Sequence, residues 1–132
     1  MHTIAVVGLS IDPSKPSHDV ARYLQGHGYH VVPVNPTVGQ VLGQKSYPSL
    51  LSLPDDLKRK IEVVDIFRRP EDVFPIVAEA VKLHESFGYP KAVWMQLGIV
   101  NEAAASRARD AGLAVVMDRC MKIEHSQRAR SE

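Results

Sequence analysis

The chain has 132 residues, 45% of them hydrophobic and 23% charged, with 16 Lys and Arg against 15 Asp and Glu. That is sequence for one domain, which can bury about two thirds of its unfolded surface without a metal or disulfide staple. A formal net charge of +1 argues against nucleic-acid binding as the main task, the single cysteine, Cys120, excludes an internal disulfide, and no apolar run approaches the roughly 18 residues of a membrane span.

The N-terminus leads straight into a strand, with no basic n-region and no cleavage site, so with one cysteine a cytoplasmic protein is expected. Ile4-Ala5-Val6-Val7 is a short apolar run ending at Gly8. A polar loop punctuated by Pro13 and Pro16 follows, then a helical pattern reaching Gly26 or Gly28, with Val20, Tyr23 and Leu24 on its buried stripe. His30-Val31-Val32-Pro33-Val34 is the second strand and ends in Asn35-Pro36. Strand, glycine turn, helix, strand is the opening βαβ unit of a nucleotide-binding sheet. Residues 37–47 read as an irregular excursion with two glycines, and 48–53 as a short helix stopped before Pro54.

Three more strand-length runs lie at 63–67, 92–95 and 113–117, alternating with helices. One helix starts at Pro70 with Glu71 and Asp72 in its first turn, then repeats Val73, Val77, Ala80 and Val81. The next is capped by Asn101 and closed by Gly112. The polar residues 126–132 are expected to fray. Near-continuous Val and Ile runs indicate strands covered on both faces. The expected fold is therefore α/β, a doubly wound parallel sheet of five strands in the order 3-2-1-4-5, with helices on both faces and all within a single domain. Parallel strands would bring their five trailing loops to one edge.

Those loops carry the candidate chemistry. Gly8, Leu9, Ser10, Ser14, Lys15, Pro16 and Ser17 could cradle an anion with backbone amides, hydroxyls and one cation, or could simply cap the helix. Arg68 and Arg69 follow the third strand and could face a phosphate or pair with Glu71 and Asp72. Gln96-Leu97-Gly98 allows close approach of a ligand at Gly98; Arg119 beside Asp118 is a ligand group or half of a surface pair. A dinucleotide fingerprint would read G-x-G-x-x-G with an acid after the second strand. This chain reads G-L-S-I-D-P-S-K-P-S, and Asn35 stands where the acid would be. Neutral Asn35 would not repel a ribose that carries its own phosphate. A plain turn is the alternative for Asn35-Pro36.

Cys120 lies beside Arg119 and near Lys122, which could lower its pKa, yet its one nearby base is His125, five positions on. A buried apolar cysteine is the simpler reading, ahead of a redox contact with a ligand thiol or a nucleophile. The six histidines show no metal-ligand spacing. Trp94 reads as core or interface; with Tyr47 it could belong to a homodimer contact. A receiver-type signalling domain would need an acid at the end of the third strand, where Phe67-Arg68 stands.

The segments V-V-G-L-S-x-D-P-S-K-P-S, V-x-P-V-N-P, Y-P-S-L-x-x-L-P, V-D-I-F-R-R-P, V-W-M-Q-L-G-I and D-R-C-M-K-I-E-H occur in this order between Ile4 and His125. Together they resemble the CoA-binding domain family, the stand-alone Rossmann-like module similar to the N-terminal domain of the succinyl-CoA synthetase α subunit. The resemblance implies a coenzyme A site. Gly8, Leu9, Ser10, Ser14, Lys15 and Pro16 would hold phosphates, Asn35 and Pro36 would flank the adenosine end, and Phe67, Arg68 and Arg119 would line the rest of the groove. The synthetase's second domain, with its phosphorylated histidine, has no counterpart here, so ligase activity is not carried over. The expected function is non-catalytic binding of coenzyme A or acyl-CoA, as a sensor or carrier. The alternative is an NAD(P)-binding or redox-sensing module on the same fold.

Overall fold

The computed structural model describes residues 2–131. Its strands are β1 (Thr3–Val7), β2 (His30–Val34), β3 (Gln40–Val41), β4 (Gln44–Lys45), β5 (Ile61–Ile66), β6 (Ala92–Met95) and β7 (Ala114–Val116). Its helices are α1 (Pro16–Gly26), α2 (Asp55–Lys58), α3 (Val73–Phe87), α4 (Glu102–Asp110) and α5 (Met121–Ser131). Five strands form one parallel sheet in the order β2-β1-β5-β6-β7. The short β3 and β4 pair separately as an antiparallel hairpin turned by Leu42 and Gly43.

The five-stranded, parallel, doubly wound architecture is as expected, with one correction to its order. Counting only the five sheet strands, the order is 2-1-3-4-5, not 3-2-1-4-5: the third strand lies against the first. The outer edge of β2 is already occupied. Tyr47 bridges Val34 there, its N–H donating to the Pro33 carbonyl while its own carbonyl accepts from Asn35 N–H. Pro33 has no N–H to donate to a further strand on that side, which suits an edge and not an interior position. The consequence is functional. The order in which strands are laid down reverses between β1 and β5, and the crevice at such a switch point is where open α/β sheets take ligands.

Alternation along the strands divides the core in two. Ala5, Val7, Val64, Ile66, Val93 and Met95 face α3 and α4, which present Val73, Val77, Ala80, Val81, Ala104 and Ala108. Ile4, Val6 and Val31 face α1, through Val20, Ala21 and Leu24, and Met121 of α5. Helices thus cover both faces. α4 is capped as expected, Ala104 N–H donating to Asn101 Oδ1 at 2.9 Å, with Gly112 left-handed beyond its end.

Two local expectations change. Residues 48–53 form turns in which Ser49 and Ser52 bond each other while Leu50 and Leu53 enter the core; the short helix α2 starts after Pro54 instead of ending before it. Residues 126–131, expected to fray, continue α5, and Glu132 lies outside the described residues. No helix among the described residues is long and apolar enough to cross a membrane.

Asp65 is the anomaly of the core. It sits in β5 beside Val6 and Trp94, is fully buried, and neither oxygen has a hydrogen-bond partner among the described residues. Burial pushes its carboxyl well above the ordinary carboxylate range, opposed only by the nearby Ile66 N–H. The folded state therefore holds a proton that the unfolded state releases. Stability from this group is fully present below the unfolded carboxylate range and declines as pH rises toward the folded-state pKa. Asp65→Asn should stabilise the protein at pH 8 by roughly 1–3 kcal/mol. Urea melts across pH 5–8 should show that advantage growing with pH; parallel pH profiles for the two proteins would refute it.

Candidate functional site

The contact that shapes the sheet edge lies where β1 ends. Gly8 N–H donates to the Val34 carbonyl at 2.8 Å, and Phe67 N–H to the Val7 carbonyl at 2.9 Å. Gly8 is left-handed (φ +87°), and a Cβ there would collide with the Phe67 carbonyl, with the Arg68 Nε just beyond. Backbone approaching backbone this closely demands glycine. The loop beyond it swings away from the end of β5 and leaves a groove of about 580 Å³.

Nine of the expected site residues line this groove: Gly8, Ser10, Lys15, Pro16 and Ser17 from the first loop and helix, Phe67 and Arg68 after β5, Gln96 after β6, and Cys120 after β7. Loops distant in sequence converge, as parallel strands require. The first loop is braced from within. Ser10 N–H donates to Ser17 Oγ (3.0 Å), Asp12 N–H to Ser10 Oγ (3.0 Å), and both the N–H and Oγ of Ser14 to Asp12 Oδ1 (2.9 and 2.8 Å). The Ser14 backbone and side-chain bonds hold the Asp12 carboxyl below its ordinary range. No side chain caps α1, whose first turn opens behind Lys15.

The other six expected residues lie outside the groove lining and are engaged elsewhere. Leu9 is buried in the core on the α1 face. Ser14 is exposed and turned to Asp12. Asn35 is buried: its Nδ2 donates to the Leu9 carbonyl (3.0 Å) and its Oδ1 accepts from Thr37 N–H and Oγ1 (3.0 and 2.8 Å), clamping the first loop to the second. Pro36 lines a smaller depression of about 150 Å³, which shares Arg68 with the main groove. Gly98 N–H donates to Asp118 Oδ1 at 2.7 Å. Arg119 pairs with Glu124 (3.5 Å) and donates to the Asp118 carbonyl.

Cations divide in the same way. Arg69 reaches the groove but is paired with Asp72 (3.0 Å) and Glu71 (3.5 Å), and the Asp72 hydrogen bond raises its pKa. Lys15 and Arg68 make no ion pair with an acid among the described residues, and both line the groove.

Asp19, Val20, Arg69, Leu97, Ile99 and Ile123 also line it, of which only Arg69 is a candidate ligand group from the sequence. Val20 follows from the α1 stripe and Leu97 from the Gln96-Leu97-Gly98 loop. Ile123 depends on α5, whose polar sequence carries almost no amphipathic signal. Lys122 of α5 bonds Asp19 of α1 at 2.9 Å, which lowers the Asp19 pKa, and Gln96 Oε1 accepts from Met121 N–H at 3.0 Å. These contacts place α5 along the groove.

Cys120 is half-buried in the groove. His125, the base nearest in sequence, instead lines a second cavity of about 200 Å³ and bonds the Tyr23 hydroxyl through Nδ1 at 2.7 Å. Trp94 is half-buried, its Nε1–H donating to the Arg119 carbonyl. No group of three or more potential metal ligands occurs among the described residues.

The family model for the CoA binding domain matches residues 2–126. YneT of Bacillus subtilis strain 168 is 39% identical over 123 residues, 93% of this chain and 84% of that one. A solved structure of a hypothetical protein from Pyrococcus horikoshii OT3 superposes with a TM-score of 0.84 at 44% identity, covering 94% of this chain and 81% of that one. The ADP-forming acetate–CoA ligase II of Archaeoglobus fulgidus is 30% identical over 82 residues, 61% of this chain but only 12% of the ligase.

Gly8→Ala should destabilise the fold by more than about 2 kcal/mol, combining a left-handed alanine with the clash at Phe67. Gly28 has nearly the same φ (+88°) but open space around it, so Gly28→Ala should cost only about 1–2 kcal/mol. Denaturant midpoints would separate the two; equal losses would mean that the close approach at Gly8 carries no weight.

Proposed function

The chain belongs to the CoA-binding domain family, and on that premise we propose that the groove between the ends of β1 and β5 binds coenzyme A without catalysing a reaction on it. The observation that carries this reading is the pair of cations, Lys15 and Arg68. They come from different loops, enter one groove, and leave their charge uncompensated by any ion pair among the described residues. The uncapped start of α1 lies beside them. Backbone amides, hydroxyls and two cations suit a pyrophosphate. Arg68 also borders the depression at Pro36, so the adenosine 3′-phosphate end would run that way. Asn35 is neutral where an NAD site would favour a carboxylate, and the one acid lining that depression, Glu79, accepts from the Leu50 N–H at 3.1 Å.

A non-catalytic role follows from the isolation of the groove's thiol from a base. Cys120 is the groove's nucleophile candidate, and His125 is turned to Tyr23 in another cavity. A binding module could sense CoA or present it to a partner.

Ligand at about 100 times its Kd adds about 2.7 kcal/mol of stability, a readable melting shift. CoA should stabilise the protein, dephospho-CoA less, and NAD little. Lys15→Ala and Arg68→Ala should each weaken CoA binding about tenfold, the order of one charge-assisted contact, while leaving the unliganded Tm nearly unchanged. Undiminished affinity in both variants would place the phosphates elsewhere, and equal shifts for NAD and CoA would remove the argument from Asn35.

A further inference from the structure

The groove changes character along its length, and strand order sets the direction. Under β1 and β5 it is lined by Ser10, Lys15, Ser17 and Arg68; under β6 and α5 it is lined by Leu97, Ile99, Cys120 and Ile123. Leu97 is 65% exposed and Ile123 47%, among the few large apolar side chains left uncovered in the described residues. They come from separate segments, 26 positions apart, and meet on one groove. Asp19 also lines the groove, but its carboxylate is bridged to Lys122 of α5. Isolated exposed apolar residues carry no message, whereas a pair meeting on one groove marks a binding surface. The framework beneath them is fixed. Gly98 N–H is held by Asp118, and Gln96 Oε1 by the first amide of α5, so these side chains project from anchored loops.

From this polarity we infer that the ligand is an acyl-CoA thioester with an aliphatic acyl chain, seated against Leu97, Ile99 and Ile123, in preference to free CoA. The inference rests on the CoA reading above. With the phosphates at Lys15 and Arg68, the pantetheine arm leads toward β6 and β7, and the thioester arrives near Cys120. That half-buried thiol is a polarizable, weakly polar neighbour for a thioester sulfur. Free CoA would leave Leu97 and Ile123 in water. An acyl chain of a few carbons would cover them, and charged or polar acyl groups would gain nothing there.

Calorimetric titration of the full chain with CoA, acetyl-CoA, butyryl-CoA, hexanoyl-CoA and succinyl-CoA tests this directly. Affinity should rise with chain length, by up to about fourfold per methylene buried, giving hexanoyl-CoA at least about a tenfold advantage over CoA; succinyl-CoA should gain none. Leu97→Ser combined with Ile123→Ser, both at exposed positions, should erase the hexanoyl advantage while leaving CoA affinity within about twofold. Equal affinities for CoA and hexanoyl-CoA in the unmodified protein would overturn the acyl assignment and leave CoA binding standing. No binding of any of the five would overturn the CoA reading, and the acyl assignment with it.

Discussion

The close approach of Gly8 to the Phe67 carbonyl is the constraint on which the remaining structure turns. It can exist only where two parallel strands end side by side and the loops beyond them part to opposite faces of the sheet. β1 hands its chain to α1 on one face, and β5 hands its chain to α3 on the other. The groove is the space between those departures. Any side chain at position 8 would push the ends apart and disturb the β1–β5 register that also fixes Phe67 and Arg68.

Most polar groups around the groove serve its walls. Ser10, Ser17, Asp12 and Ser14 brace the first loop, Asn35 ties it to the second, and Asp118 with Gln96 secures the far side. Arg69 and Asp19 line the groove already paired, with acids and with Lys122 respectively, which leaves Lys15 and Arg68 as its cations without an ion pair among the described residues, together with the apolar Leu97, Ile99 and Ile123. A pre-braced frame loses little entropy on binding, which is why the proposed amphiphilic ligand suits it. Asp65 stands apart from this economy. It is buried within β5 itself, with no hydrogen-bond partner for either oxygen among the described residues, and its cost must be met by the packing of the two core layers around it.

Much of this was legible in the sequence, for identifiable reasons. The five sheet strands are short apolar runs, mostly Val and Ile in β1, β2 and β5, α3 keeps its apolar stripe at helical spacing, and α4 carries both its cap and its closing glycine. The strand order departs from the expected one, and Pro33 carries the reason: a proline inside an otherwise regular strand belongs at an edge. Tyr47, which fills that edge, reaches it through a hairpin whose two-residue strands are too short for any periodic signal. At the site, nine of the fifteen expected residues line the groove, and the other six have partners or positions outside it. Asn35, Ser14 and Arg119 have ligand-like chemistry, but Asn35 bonds Leu9 and Thr37, Ser14 bonds Asp12, and Arg119 bonds the Asp118 carbonyl and pairs with Glu124; pairings of that kind depend on loop geometry. Ile123 escaped notice because α5 is held by Lys122–Asp19 and Gln96–Met121 contacts across about a hundred and about twenty-five positions, with no amphipathic face to announce it.

The central claim is that phosphates of coenzyme A sit in the crevice between the ends of β1 and β5. Titration of isotopically labelled protein with CoA, followed by amide chemical shifts, addresses it without mutation. The account requires the largest changes at Gly8, Ser10, Ser17 and Arg68, with smaller ones at Leu97 and Cys120. Changes centred instead on the cavity beneath Trp94 and His125, with Gly8 and Arg68 unmoved, would contradict it.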